Sequence, residues 1–134
     1  MKNYVFIILA LISLPFLTSS FTNSNFKEWP VPDKYKKMSN PVKSSAKTIA
    51  DGKALWSKHC QSCHGKTGMG DGTKAAQLKT EPGDFTKSAT QGQTDGSLFY
   101  KIMEGREYMP SFKKKIPDQD DIWSIVNFIR TLKK

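Results

Sequence analysis

Apolar residues recur with helical spacing in three stretches of the chain. The clearest stripe lies at the C-terminal end, with large apolar side chains at i, i+3, i+4 and i+7 and three more that widen it: Ile122, Ile125, Val126, Ile129, Trp123, Phe128 and Leu132. Pro117 and Asp118 indicate the start of this helix, where acidic residues complement the helix dipole. No stretch alternates apolar and polar residues as a half-buried strand does, so the pattern predicts an all-α domain.

A first helix is predicted to begin near Thr48, because Thr48-Ile-Ala-Asp51 has the form of a capping box. It continues through Gly52 and Trp56 to Cys60. Gly52 lowers helix propensity, which is explained if another helix backbone approaches closely at that point. A middle helix is predicted between Asp95 as N-cap and Gly105, while residues 73–93 are expected to be irregular.

Residues 1–20 differ from everything that follows. Lys2 precedes a 13-residue run without charge, Val5 to Leu17, and the small residues at 18–20 form a cleavage zone. The pattern predicts a secretory signal and an exported protein, periplasmic or associated with the outer side of the inner membrane. The alternative is a retained membrane anchor over residues 1–21, although a span of about 20 apolar residues is reached only by counting polar positions.

Residues 21–46 are predicted to be a Pro- and Lys-rich extension or tether, outside a main domain at residues 47–134. Its prolines remove backbone donors and favour extended backbone. Four apolar side chains would pin the extension onto the domain: Trp29, Val31, Tyr35 and Met38.

The formal net charge is +9, or +8 without Lys2. A basic surface of this size either keeps the protein solvated or steers it to an anionic partner. Export argues against nucleic acid as that partner and leaves redox proteins with an acidic docking surface.

The only two cysteines lie in one motif, Cys60-Gln-Ser-Cys63-His64. C-x-x-C-H is the attachment signature of a c-type haem. Positions i, i+3 and i+4 share a helix face, so Cys60 and Cys63 can form thioethers with one porphyrin while His64 binds the iron. The other nitrogen of His64 then needs an acceptor, for which a backbone carbonyl near Pro82 is the candidate.

A second axial ligand has to come from the opposite side of the porphyrin. His59 adjoins the attachment motif and cannot reach around the ring, and Met69 follows His64 too closely. Met103 falls on the apolar face of the middle helix, where core packing is the better interpretation. Met109, beside Pro110 and 45 residues after His64, is therefore predicted to be the distal iron ligand.

A zinc or thiol-redox site is the other interpretation of C-x-x-C. Zinc would need ligands beyond this cluster, and the chain contains no second C-x-x-C. Thioredoxin-like chemistry occurs in a βαβ context that the pattern does not predict.

Taken together, Cys60-x-x-Cys63-His64, the downstream Met109-Pro110 and the aromatic-rich terminal helix resemble a class I (mitochondrial-type) monohaem cytochrome c. The segments Gly68-Met-Gly-Asp-Gly72 and Asp95-Gly-Ser-Leu-Phe99 resemble those of bacterial members. The resemblance covers residues 47–134. It implies the small cytochrome c fold, in which the N- and C-terminal helices cross through a glycine and an aromatic residue.

The resemblance also implies one covalent haem c and a function in electron transfer rather than catalysis. Soluble shuttling between respiratory or periplasmic redox partners is the first hypothesis. A haem-bearing subunit of a larger membrane respiratory or dehydrogenase complex is the second. A haem enzyme or sensor is the third, and it would need an open iron site.

Overall fold

The described part of the chain folds into three longer helices and several short ones. The computed structural model describes residues 29–134. Its helical segments are α1 (Asp33–Lys36), α2 (Ala46–His59), α3 (Gln61–His64), a 3₁₀ turn (Ala75–Gln77), α4 (Ser88–Gln91), α5 (Asp95–Glu104) and α6 (Gln119–Arg130). Across the described residues the only β-type pairing is an isolated bridge between Arg106 and Met109. The expected all-α class is confirmed.

The first and last long helices cross in backbone contact at Gly52. A Cβ at this position would overlap the carbonyl oxygen of Ser124 in α6. One turn further on, the rings of Trp56 and Phe128 pack with their centroids 5.7 Å apart. The predicted close crossing is therefore present, and it accounts for a glycine in the middle of α2.

The core lies between α2, α5 and α6. Phe99 of α5 stacks on Trp123 of α6, with ring centroids 4.1 Å apart and planes at 10°. In α6, every residue from Ile122 to Ile129 is buried, including the polar Ser124 and Asn127. The sequence pattern predicted a one-sided stripe, and the difference arises because the segment before α2 covers the remaining face of α6.

That segment, residues 29–45, is called the strap here. Val31 is buried, and the rings of Tyr35 and Tyr100 lie 4.7 Å apart. The amide of Asn40 donates to Asn127 Oδ1 and to the Trp123 carbonyl, at 2.9 and 3.2 Å. The buried amide of Asn127 in turn donates to the carbonyl of Val42. The strap is thus docked by polar bonds as well as apolar contacts, and it contains the short helix α1, which its prolines did not suggest.

Residues 1–28 lie outside the described residues, and with them the predicted signal at residues 1–20 and the beginning of the 21–46 extension. Within residues 29–134, no helix is long and apolar enough to cross a membrane.

Two helices begin elsewhere than their sequences suggested. Helix α2 starts at Ala46, because Ser45 and Thr48 exchange the capping-box hydrogen bonds, while Asp51 pairs with Lys47 at 2.7 Å. Thr94, rather than Asp95, is the N-cap of α5 and accepts from the amide of Ser97. The C-terminal helix begins where Pro117 and Asp118 indicated, and Asp118 is its N-cap.

The region 73–93, expected to be irregular, contains the 3₁₀ turn and α4. It is fixed to the C-terminal helix by Arg130, which donates to the carbonyl oxygens of Gln91 and Gln93. Gln91 also donates to the carbonyl of Ile129. These long-range bonds order a segment that has no strong local pattern.

Candidate cofactor site

The Cys60–His64 motif occupies a single helical turn directly after α2. The carbonyl of Cys60 accepts hydrogen bonds from the amides of Cys63 and His64, at 3.1 and 2.9 Å. Neither cysteine is part of a disulfide, and Cys60 is buried while Cys63 is partly buried. The turn is therefore helical, so Cys60, Cys63 and His64, at positions i, i+3 and i+4, lie on one face and can bind one group together.

A glycine-rich loop, residues 65–72, braces this turn. Three backbone amides of residues 70–74 donate to carbonyls of the motif: Gly70 to His64, Gly72 to Cys63 and Lys74 to Ser62. The indole of Trp56 donates to the carbonyl of Gly65 at 2.9 Å. A Cβ at Gly72 would lie 2.6 Å from the Cys63 carbonyl carbon, so the loop backbone can lie this close only without a side chain.

The imidazole of His64 is held between aromatic rings. Its centroid lies 4.9 Å from that of Phe85, in an edge contact, and 5.6 Å from that of Trp56. Burial lowers the pKa of His64 to about 4, with the backbone carbonyl of Pro82 acting in the opposite direction. The imidazole is therefore neutral near pH 7, the form in which histidine binds metals.

Nδ1 of His64 is buried without a hydrogen-bond partner. The carbonyl of Pro82, the predicted acceptor, is near enough to act on the pKa of the ring but does not reach hydrogen-bond geometry with Nδ1. A buried and unpaired polar atom costs free energy, so this nitrogen needs an acceptor. A shift of the 81–83 loop would let the Pro82 carbonyl accept from it.

Burial raises the pKa of the Cys60 thiol to about 12, with a further contribution from Cys63. The nucleophile in thiol–disulfide exchange is the thiolate, which this environment disfavours. Among residues 29–134, no group of three or more His, Cys, Asp or Glu side chains is arranged to hold a metal ion. The donor set fits a metal carried by a porphyrin, which supplies the remaining ligands itself.

Met109 closes a turn shortly after α5, in which Glu107 and Tyr108 connect Arg106 to Met109. Arg106 and Met109 exchange both backbone hydrogen bonds, at 2.8 and 2.9 Å, and the Met109 side chain packs partly buried against the hydrophobic core. A Cβ at Gly105 would approach the Met109 carbonyl oxygen to 2.5 Å. Cys60 belongs to the same core cluster against which Met109 packs.

The other candidate ligands lie in different environments. Met103 is buried in the core, at 5% exposure, while Met69 is exposed and near the amine of Lys134. His59 ends α2, with its ring 6.0 Å from that of Phe112. Burial and two lysines, Lys58 and Lys115, lower the pKa of His59.

A cavity of about 510 Å³ is lined by Met69, Leu78 and Pro82, among others, but by none of the four predicted site residues. It borders the site through Pro82 and through Gly70, whose amide donates to the His64 carbonyl. The contact between Phe85 and His64 was not predicted from the sequence, because the two residues are brought together by the fold of the intervening loop.

Comparisons with known proteins agree with this geometry. The family described as cytochrome c oxidase, cbb3-type, subunit III matches residues 47–129. Cytochrome c6 of Cladophora glomerata is 28% identical over 85 residues, which are 63% of this chain and 88% of that protein. The structure named KustC0563 c-type cytochrome is 28% identical, with a TM-score of 0.56, and the match covers 63% of this chain and 99% of that one.

A further structural match includes more of the chain. It is to the Kuenenia stuttgartiensis reducing HAO-like protein complex Kustc0457/Kustc0458, with 25% identity and a TM-score of 0.64. It covers 81% of this chain, which spans about half (53%) of the matched chain. Because residues 47–134 make up about two thirds of the sequence, this match extends into the residues before position 47.

Proposed function

The chain belongs to the c-type cytochrome family of cytochrome c oxidase, cbb3-type, subunit III, with covalent haem c as its cofactor, and we propose that Cys60, Cys63, His64 and Met109 hold that haem for electron transfer. The family match and the cytochrome c6 relative indicate an electron carrier rather than an enzyme. The observation that carries the assignment is the single helical turn that brings together two cysteines outside any disulfide and a histidine whose buried Nδ1 has no hydrogen-bond partner.

Each residue of the turn has a separate task. Cys60 and Cys63 form the two thioethers, which use both thiols and tie the group to the end of α2. His64 is the proximal iron ligand, and the rings of Phe85 and Trp56 restrict its rotation. An acceptor for Nδ1 fixes the tautomer so that the other ring nitrogen has a free lone pair.

Met109 is the distal ligand in this proposal. It is supported by its delivery from a turn fixed by two backbone hydrogen bonds, with the side chain partly buried against the core. A thioether ligand favours ferrous iron and raises the reduction potential, and a haem with both axial positions filled exchanges electrons without binding substrate.

The test is an optical spectrum of holoprotein made in a host that attaches c-type haem. Wild type should be low-spin with a weak sulfur-to-iron band. Met109→Ala should lose that band, while the matched control Met69→Ala should keep it. Loss of the band in Met69→Ala, or a high-spin wild type that binds carbon monoxide readily, would overturn the assignment of Met109.

Export is the second part of the proposal, with residues 1–20 as a signal and a periplasmic location or one on the outer side of the inner membrane. It is supported by the uncharged run from Val5 to Leu17 and by the chemistry of the cofactor. The mass of the mature protein should correspond to a chain without the signal. A chain that retains residues 1–21 and sediments with membranes would favour an anchor instead.

The redox partners are proposed to present an acidic docking surface to the lysine-rich chain. Electrostatic steering of this kind falls with ionic strength. Electron-transfer rates with an anionic small-molecule oxidant should therefore fall with added salt, and those with a cationic oxidant should rise. Equal salt dependence for both would contradict a positively charged electron-transfer surface.

Membership of a larger complex is the second candidate. It is favoured by the match to the HAO-like protein complex, which extends into the residues before position 47, whereas the other two relatives match only 63% of the chain. Native-size separation of extracts from the source cells checks it. Haem-stained protein at the mass of the single chain would favour the shuttle, and co-migration with a larger species would favour the subunit.

A further inference from the structure

The chain after Met109 is anchored to α5. The amide of Phe112 donates to the carbonyl of Ile102, and the Ser111 hydroxyl donates to that of Met103 at 2.6 Å. Lys113 also pairs with Glu104 across 3.6 Å. These bonds fix the exit of the loop, but they do not contact the turn at residues 106–109.

That turn is held from outside by the strap. The guanidinium carbon of Arg106 lies 4.7 Å from the centroid of the Trp29 ring. This distance is within the range in which a cation is attracted to the indole face. Arg106 is also the residue that exchanges both backbone hydrogen bonds with Met109. A direct chain of contacts therefore runs from Trp29 through Arg106 to Met109.

The same indole ring interacts with a second cation, Lys101 of α5, whose amine lies 5.4 Å from the centroid. Lys101 also donates to the side chain of Gln93 at 2.6 Å. Burial and the neighbouring Arg106 both lower the pKa of Lys101, so the two cations repel each other. The electron-rich ring offsets that repulsion, which is a reason for an aromatic residue at position 29.

Trp29 is itself fixed, because the strap is docked along its length. Val31 is 7% exposed, and Gly96 in α5 allows the carbonyl of Tyr35 to approach where any side chain would overlap it. Asn40 and Asn127 close the other end of the strap against α6. The backbone that follows Trp29 is therefore docked on the domain, which keeps the ring beside Arg106.

We propose that Trp29 is a positioning residue that holds the Met109 turn through Arg106, so that the strap controls how readily the Met109 sulfur leaves the iron. The inference rests on the proposed role of Met109. It assigns a purpose to a segment outside the residues that the family match covers. Trp29 does not touch the cofactor in this proposal. Its effect is on the frequency with which the axial position opens.

Carbon monoxide provides the readout, because it binds ferrous holoprotein only after Met109 has left. We expect Trp29→Leu to retain the sulfur-to-iron band at 25 °C but to bind carbon monoxide about two- to tenfold faster than wild type, the range that one cation–π contact accounts for. Trp29→Phe, which keeps a ring, should lie between the two. Lys101→Met is the matched control. It removes the other cation that contacts the Trp29 ring, and Lys101 does not belong to the Met109 turn. The rate of carbon monoxide binding to this variant should stay within about twofold of wild type.

A double-mutant cycle separates positioning from general destabilisation. Arg106→Gln and Trp29→Leu break the same contact, so the double variant should be no faster than the faster single variant. If the rate increases of the two single variants multiply in the double variant, Trp29 acts by a route other than Arg106, which would overturn the proposal. A carbon monoxide rate for Trp29→Leu equal to that of wild type would also overturn it and leave the ligand assignment intact. Wild type binding as fast as Met109→Ala would instead refute Met109 as ligand.

Discussion

Arg130, the last residue of α6, donates two hydrogen bonds to a single oxygen of Asp95, the first residue of α5, at 2.8 and 2.6 Å. The same guanidinium donates to the carbonyls of Gln91 and Gln93. Both charged side chains are about one-third exposed. The end of the C-terminal helix is thereby tied to the start of the helix that leads to Met109.

Replacing Arg130 by Met should lower the free energy of unfolding by about 2 kcal/mol, because hydrogen bonds to charged groups contribute about 1.5–3 kcal/mol and their acceptors would be left partly buried. Denaturant unfolding of the holoprotein measures it. Lys133→Met, an exposed change of the same type three residues on, should shift the free energy by less than about 0.5 kcal/mol. Equal shifts for the two variants would contradict a specific role for Arg130.

Gly52→Ala tests the helix crossing. The added methyl would overlap the Ser124 carbonyl, and two backbones cannot move apart without disturbing the Trp56–Phe128 contact. We expect a loss of about 1–3 kcal/mol, despite the gain of about 1 kcal/mol in helix propensity. Thermal unfolding measures this loss, and Lys53→Ala, at an exposed position on the same helix, is the control variant. A Gly52→Ala variant as stable as that control would show that the crossing can widen freely.

Glu107 stores backbone strain in the Met109 turn. Its φ of 51° is the only positive value among the described residues other than glycine. Glu107→Gly and Glu107→Ala both lose the side chain, but only glycine adopts this conformation without strain. Glu107→Gly should therefore be more stable than Glu107→Ala by about 1 kcal/mol. Thermal unfolding of the two variants decides, and an Ala variant at least as stable would contradict strain at this position.

Asp84 gives a pH dependence at the start of the segment that packs on His64. Its Oδ1 accepts from the amide and hydroxyl of Thr86, at 2.8 and 2.6 Å, and these bonds lower the pKa of the carboxyl below its ordinary value of 3.8. A depressed carboxyl pKa stabilises the fold above pH 3.8, and that contribution is lost as the pH falls through the folded-state pKa.

In Asp84→Asn, the free energy of unfolding should therefore depend less on pH below about pH 4. Its pH dependence near neutral pH should be almost unchanged. Unfolding midpoints between pH 2.5 and pH 6 measure this, with Glu81→Gln, at an exposed position, as the control. An unchanged pH dependence in this acid range for Asp84→Asn would show that the carboxylate gains nothing from Thr86.

Local patterns identified the long helices and the attachment turn well. The stripe from Ile122 to Ile129 and the spacing of Cys60, Cys63 and His64 depend on residues three or four apart, which share a face in any helix. Helix starts were less accurate: Ser45 and Thr94 were overlooked as caps because several neighbouring residues could equally accept the first amide hydrogen bonds.

The sequence by itself determined an all-α chain with a haem-binding motif and predicted an export signal, because helical period, charge and a five-residue signature are properties of neighbouring residues. Only the tertiary structure decided that Phe85 borders His64, that Asn127 is buried under the strap, and that Trp29 meets Arg106. These pairs are brought together by chain reversals between helices, and no local spacing encodes a contact across 77 residues, the separation of Trp29 and Arg106.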